Sequence, residues 1–106
     1  MSYQCHLMTF EGSNREFILG VLDALAEVKN WRASVGAILI VTESNITSNI
    51  LANAIGGRVG TTRFLIAPIW GPMTQGRADL DTWQFINNPQ PLNWANALAA
   101  GLLPKP

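Results

Sequence analysis

The segment Val35-Gly-Ala-Ile-Leu-Ile-Val-Thr42 is a continuous apolar run without a charged side chain. It is too short to cross a membrane, and its β-branched residues are typical of a strand that is buried on both faces. We therefore expect this segment to be a central strand of a sheet. The rest of the chain must then supply what covers the two faces of that strand.

The composition indicates one small domain with a low content of charge. The chain has 106 residues, which is enough for a single domain with its own core. Charged residues make up 13% of the chain, whereas roughly 25% is average for a soluble domain. A small protein so poor in charge usually hides part of its surface against a partner, which favours self-association. The formal net charge is zero, so the totals carry no sign of a nucleic-acid-binding surface.

The cysteine content and the first ten residues indicate the cellular compartment. Cys5 is the only cysteine, which excludes an intrachain disulfide and the usual thiolate metal sites. Its position in a strand pattern favours a buried, unreactive thiol. Met1–Phe10 lacks the basic start and the apolar core of a signal peptide. We expect a cytoplasmic protein that has no membrane partner.

Alternating and helical periodicities predict the remaining elements of the first seventy residues. Strands are expected over Tyr3–Phe10, Trp31–Ser34 and Arg63–Trp70. A first helix is expected from the capping box formed by Ser13 and Glu16 to about Lys29, and a second from Ser44 or Asn45 to Gly56-Gly57.

The resulting order, β-α-β-β-α-β, predicts an α+β fold of the ferredoxin-like type, an antiparallel sheet with two helices on one face. Strands one and three would lie in the centre, and Pro68 agrees with an edge position for the last strand because proline cannot donate to a ladder. We divide the chain into a core over residues 1–70 and a partly helical tail over residues 71–106. Within the tail, helical spacing is found over Asp79–Asn87 and Leu92–Leu103.

The face of the sheet opposite the two helices would expose more apolar surface than a soluble monomer tolerates. Either a second copy of the chain or the tail must cover it, docking on its own subunit or on the neighbour. The residues that we expect at this interface are Met8, Phe10, Phe64, Ile66 and Trp70.

The pattern over about residues 3–70 resembles the small Cas2-like family, including its SinR-type relatives. The resemblance is carried by the aromatic-acid pair Phe10-Glu11, by Lys29-Asn-Trp31 after the first helix, by Ser44-Asn-Ile-Thr-Ser48 before the second, and by Arg63-Phe-Leu-Ile-Ala67 in the last strand. It implies a homodimer of ferredoxin-like subunits. In nuclease members of the family, an aspartate after the first strand meets its mate across the dimer and binds a divalent metal.

Glu11 stands where that aspartate would be. A carboxylate suits Mg²⁺, but the longer side chain moves the oxygen atoms and no second acid lies nearby in the sequence. The alternative for Glu11 is a solvated turn residue or a partner for the positive end of the first helix. No cofactor is expected otherwise.

The other candidate residues are a histidine, four arginines and four tryptophans. His6 is the sole histidine and has no partner for general-base chemistry in its spacing. We expect it to be a hydrogen-bonded interface residue on the face of the sheet that needs a cover. The arginines would contact phosphates if they gathered along one edge of the sheet, although a solvated rim is the preferred interpretation. The tryptophans are expected to pack in the core or in an interface rather than to stack on bases. The four arginines are Arg32, Arg58, Arg63 and Arg77.

Three functions remain open on these grounds. We favour a non-catalytic, oligomeric interaction module, a homodimer that also has the surface to bind another protein. The first alternative is a Cas2-like metal-dependent nuclease or nucleic-acid-binding protein, with Glu11 at a metal and the arginines on phosphates. The second is a sensor that binds a small ligand between subunits.

Overall fold

The structure is a computed structural model that describes residues 2–34 and 36–91. Its elements follow in the order β1, α1, β2, β3, α2, β4, a 3₁₀ turn and α3. Their bounds are β1 Tyr3–Phe10, α1 Arg15–Ala24, β2 Asn30–Ser34, β3 Ala37–Glu43, α2 Ser48–Gly56, β4 Phe64–Ile69, the 3₁₀ turn Gly71–Met73 and α3 Leu80–Asn87.

The four strands form one antiparallel sheet in the order β2-β3-β1-β4. The architecture is α+β and is compatible with a small ferredoxin-like fold. As the apolar run indicates, β3 is central, and its residues Ile38–Thr42 are all buried. β4 lies at an edge, so the position expected from Pro68 is confirmed.

One face of the sheet is covered by α1 and α2, and it holds the larger core. Met8 and Ile40 lie on this face and are fully buried against Leu22 of α1 and Leu51 of α2. The full set of buried residues is Met8, Ile18, Val21, Leu22, Leu25, Ile38, Ile40, Leu51, Ile55 and Val59.

Four of the five residues expected on the opposite face lie on this helix-covered face instead. Met8 is buried in the core, and Phe10, Phe64 and Ile66 pack against that core. Phe10 is paired with Phe64 and Met8 with Ile66, and directly opposed residues of two strands point to the same face. Our placement of these four was therefore wrong. Trp70 differs from them, since 66% of its side chain is exposed.

The opposite face is partly covered by α3, which belongs to the tail. Ile86 of α3 is buried against Cys5 of β1 and Leu39 of β3, and Trp83 packs at the border of this smaller cluster. The described part of the tail therefore docks on its own sheet. The second helical pattern, Leu92–Leu103, lies outside the described residues.

Both helices begin later than expected, and α1 ends at Ala24 and not near Lys29. Helix α1 begins at Arg15 after Asn14, without a side-chain capping bond among the described residues, so the capping box from Ser13 was wrong. Helix α2 begins after Thr47, whose hydroxyl accepts from the backbone N–H of Ile50 at 3.2 Å. The helix does not begin at Ser44 or Asn45 as expected, and the Ser44 hydroxyl instead lies 2.7 Å from that of Ser2.

Within residues 2–34 and 36–91, no helix is long and apolar enough to cross a membrane.

Candidate functional site

Glu11 lies directly after β1 and forms an open ion pair with Arg63. Its backbone N–H donates to the carbonyl oxygen of Arg63 at 2.9 Å, and its Oε2 lies 3.6 Å from Nε of Arg63. The two side chains are 71% and 84% exposed. An ion pair in this much solvent contributes little to stability. Its importance is that the carboxylate proposed as a metal ligand already faces a cation.

A shallow groove of about 630 Å³ surrounds this ion pair at the end of β1 and β4. It is lined by Thr9, Phe10, Glu11, Thr62, Arg63, Phe64 and Leu65. Among the described residues, no group of three or more histidine, cysteine, aspartate or glutamate side chains lies close enough together to hold a metal ion. A metal in this groove would therefore rest on Glu11 alone within one subunit.

The four candidate arginines do not gather along one edge. Arg32 lies on β2 and Arg63 precedes β4, and the sheet order places these strands at opposite edges. Arg58 lies between α2 and β4, and Arg77 precedes α3. The four arginines therefore do not form one edge, and contact between any of them and phosphates stays a prediction.

Arg32 is instead part of a polar network that joins α3 to β2. Its Nε donates to the hydroxyl of Thr82 at 3.2 Å, and its guanidinium donates to the carboxylate of Asp79 at 2.8 Å. Thr82 is 1% exposed and also bonds Ser34 at 2.7 Å. We call these four residues the β2 network.

The proton positions in the β2 network follow from valence. The carboxylate of Asp79 accepts the single proton of the Thr82 hydroxyl, so Thr82 has only its lone pairs for Arg32 and Ser34. The hydroxyl of Ser34 therefore donates to Thr82. The hydrogen bond from Thr82, followed by the charge of Arg32, lowers the pKa of Asp79 below its ordinary value of 3.8.

At the other edge, β4 carries no charged side chain, and within residues 2–34 and 36–91 no strand pairs with its outer side. The backbone N–H of Glu11 donates to the carbonyl of Arg63, so these two opposed residues form a hydrogen-bonded pair. Along an antiparallel ladder, hydrogen-bonded pairs of opposed residues alternate with pairs that are not hydrogen-bonded. Thr9 with Leu65 is therefore bonded, and His6 with Pro68 is not. Pro68 thus occupies a position at which a backbone N–H would point away from β1, and its lack of a proton costs the sheet no hydrogen bond.

Large apolar side chains are exposed on β4 and in the turn that follows it. Leu65 of β4 is 77% exposed, Trp70 after the strand 66%, and Met73 in the 3₁₀ turn 78%. We use the name β4 edge for the strand Phe64–Ile69 together with Trp70 and Met73. Single exposed apolar residues are common, but three between Leu65 and Met73, next to a strand edge without a bonded neighbour among the described residues, are typical of an interaction surface.

His6 is buried beneath α2, with both ring nitrogens bonded. Nδ1 lies 2.7 Å from the hydroxyl oxygen of Ser48 and Nε2 lies 2.8 Å from that of Thr42. Burial lowers the pKa of His6 from its ordinary 6.5, so the neutral ring is favoured. The residue is hydrogen-bonded, as expected, but it lies on the helix-covered face and not in an interface on the opposite face. The contacts assign it to holding the start of α2 against β1 and β3.

Cys5 lies under α3, and its thiol is buried as the strand pattern indicated. Burial raises its pKa from 9.0 to about 12, which leaves almost no thiolate at neutral pH. The cysteine is therefore unreactive in the folded chain.

Comparison with known proteins returned no matching family model, no matching curated protein and no matching solved structure. The resemblance to the Cas2-like family stays a prediction.

Sequence reasoning missed the β2 network, and above all Thr82. Two signals were present. Arg32 and Ser34 are two residues apart in a strand, which puts both on one face, and Asp79 and Thr82 have the spacing of a residue before a helix and one in its first turn. What the sequence lacked was a reason to bring these two pairs together.

Proposed function

We propose that the protein is a non-catalytic module that forms homodimers and presents a surface for protein–protein interaction, built on a Cas2-like, ferredoxin-like βαββαβ core. The observation that carries the proposal is the β4 edge, where an open strand lies beside exposed Leu65, Trp70 and Met73. We also propose the cytoplasm as its location, which suits a single unpaired cysteine.

Three observations support this proposal. The order of the elements, with two helices over one face of an antiparallel sheet, agrees with the ferredoxin-like part. β4 contains no charged side chain, although edge strands of monomeric proteins usually carry charge to prevent pairing. The low charge content of the whole chain also supports self-association.

The first experiment is the solution mass of the full chain by light scattering over a concentration series, with a Trp70→Lys variant. We expect the wild-type chain to approach the mass of a dimer and the variant to shift toward the monomer, because a lysine ammonium is costly to bury. Phe17→Lys is the matched control, since Phe17 is 54% exposed but lies on α1, away from the β4 edge. A wild-type chain that is monomeric at every concentration would contradict the proposal.

A Cas2-like nuclease is the second candidate, and the position of Glu11 favours it. The carboxylate is largely exposed in a groove at the end of a central strand, with the cation of Arg63 beside it. Cleavage of DNA or RNA is measured with Mg²⁺ or Mn²⁺ for the wild-type chain, for Glu11→Ala, and for Glu16→Ala as an exposed acidic control. Metal-dependent cleavage that only Glu11→Ala abolishes, with the fold intact, would replace the non-catalytic proposal.

A further inference from the structure

We propose that α3 is a strap, which the β2 network holds closed and which swings off the sheet as one unit while the four strands, α1 and α2 stay folded. The swing uncovers Cys5 and Leu39. This inference goes beyond the proposed function, since it concerns a conformational change within a single chain and does not depend on whether the protein forms dimers.

The first step is the way in which α3 is attached. Among the described residues, every hydrogen bond between β2 and the segment 79–91 involves a side chain. These are the bonds of the β2 network and one from Nδ2 of Asn30 to the carbonyl of Gln90 at 3.3 Å. The ladders of the sheet run between strands only, from β1 to β3 and β4 and from β2 to β3. The helix can therefore leave the sheet without breaking a ladder bond.

The second step compares what the helices bury on the two faces of the sheet. The core under α1 and α2 consists of ten buried residues, whereas the cluster under α3 has three, Cys5, Leu39 and Ile86. Of the eight residues of α3, Thr82 and Ile86 are the buried ones. Units with few buried apolar contacts open at a lower free energy than the whole protein unfolds. We therefore expect α3 to open well before the sheet does.

The third step is the connection between β4 and α3. The 3₁₀ turn ends at Met73 and the helix begins at Leu80, and the chain between them forms neither a helix nor a strand. Gln75, Gly76 and Arg77 in this connection are exposed. None of its residues belongs to either buried cluster. The connection can therefore turn without disturbing either cluster, and it serves as the hinge of the strap.

The position of the strap decides whether Cys5 can react. With α3 in place, the side chain is 2% exposed and lies against Leu39 and Ile86. With α3 away, Ile86 no longer covers the thiol. Water then reaches it, and its pKa returns from about 12 toward the ordinary value of 9.0. A thiol reagent in solution therefore reports the open form.

The test is the labelling of Cys5 in the full chain by the aromatic disulfide dithiobis(nitrobenzoate). The thiol loses its proton to solvent, the thiolate forms a mixed disulfide with one half of the reagent, and the other half leaves as a coloured thiolate. The labelling rate is measured at rising urea concentrations below the unfolding transition, with reagent dilute enough that the strap opens and closes faster than it is labelled.

The dependence on urea distinguishes the strap from global unfolding. The effect of urea scales with the surface that an opening exposes, and α3 covers a small part of the protein. We expect the logarithm of the labelling rate to rise with urea at no more than about half the slope measured for global unfolding by circular dichroism. A slope equal to that of global unfolding would overturn the strap.

A buried thiol on the other face of the sheet provides the reference. In the background Cys5→Ala, the substitution Val21→Cys introduces a thiol under α1, at a position that is 8% exposed. Both rates are divided by the rate of the same thiol in the unfolded chain. Cys5 should then label at least about tenfold faster than the reference. Any destabilisation by Val21→Cys raises the reference rate and so works against this difference, and equal rates would overturn the strap.

The role of the β2 network is tested by Asp79→Asn, which weakens the charged bond to Arg32 while keeping the shape of the side chain. The matched control is Asp81→Asn, since Asp81 is an exposed acid on the same helix. We expect Cys5 to label about threefold faster or more in Asp79→Asn and at the wild-type rate in Asp81→Asn. Labelling that is no faster in Asp79→Asn than in the control would overturn the assignment of the β2 network as the group that holds the strap closed.

Discussion

The two edges of the sheet are protected in different ways. At the β2 edge, Arg32 and Ser34 bind Thr82 and Asp79, so a helix is held against the strand by polar bonds. At the β4 edge, the strand carries no charged or hydroxyl side chain between Phe64 and Ile69, and within the strand Pro68 is the residue that limits pairing.

The difference shows how side-chain chemistry decides what an edge strand does. Polar groups on one face of β2 provide directional contacts, which place α3 in one position on its own sheet. The apolar β4 has only main-chain groups and surface area to offer, and another strand satisfies these best. Within the described residues, the same sheet thus has one edge tied to its own tail and one edge without a bonded neighbour.

The largest effect on stability is expected from a second proline in β4, introduced by the substitution Ala67→Pro. Ala67 is paired with Leu7, and its N–H points toward β1, so proline removes a ladder bond and leaves a carbonyl of a central strand unpaired. We expect the free energy of unfolding to fall by about 2 kcal/mol or more, measured by urea denaturation.

The matched control for this variant is Pro68→Ala. At this position the N–H points outward, so we expect a change within about 0.5 kcal/mol. If the free energy of unfolding fell equally in the two variants, the assignment of inward and outward N–H groups along β4 would be wrong.

The second prediction concerns the β2 edge, where Thr82→Val removes the centre of the β2 network while keeping the shape of the side chain. We expect a loss of about 1–3 kcal/mol in the free energy of unfolding, because Ser34 and Arg32 lose a buried partner. Labelling of Cys5 by a thiol reagent should also become faster, since α3 covers that residue.

Thr61→Val is the control, as the same change at an exposed turn residue. Stability of Thr82→Val within 0.5 kcal/mol of the wild-type chain, with unchanged labelling of Cys5, would show that α3 is held by its apolar side chains alone.

The third prediction concerns how the stability of the helix-covered face and of the β2 edge depends on pH. Because burial lowers the pKa of His6, the unfolded chain binds the proton more readily, and stability decreases as the pH falls below about 6.5. The slope is at most about 1.4 kcal/mol per pH unit for one proton. The pKa of Asp79 is also lowered, so its contribution persists until the pH falls below 3.8. Acid should therefore weaken the helix-covered face before the β2 edge.

His6→Gln tests this assignment, because His6 is the only histidine in the chain. Unfolding is followed by urea denaturation at several pH values between 5 and 7.5. If the variant keeps the slope of the wild-type chain in this range, the pH dependence does not come from His6.

Much of the fold followed from local patterns. The apolar run around Ile38–Thr42 indicated a strand buried on both faces, and the structure has it at the centre of the sheet. Pro68 indicated an edge, and α3 was expected over Asp79–Asn87 and found over Leu80–Asn87. These features depend on periodicity and on backbone chemistry, which neighbouring residues determine.

The candidate site was less predictable, for a specific reason. A period of two shows which residues share a face but does not show which face the helices cover, so Met8 and Phe64 were placed on the wrong side. Grouping the arginines needed the strand order, and choosing Thr47 over Ser44 as the cap needed the contact between Ser44 and Ser2.

The sequence by itself determined where strands and helices form, that β4 is an uncharged edge strand, and that one cysteine and one histidine lie in the first strand. Only the tertiary structure decided which face of the sheet receives α1 and α2, that α3 docks on β2 through Thr82, and that His6 is held between Thr42 and Ser48. These contacts join residues that lie 36 to 50 positions apart. Side-chain propensities act over a few neighbours, whereas pairing across such distances is decided by how the whole sheet buries its faces.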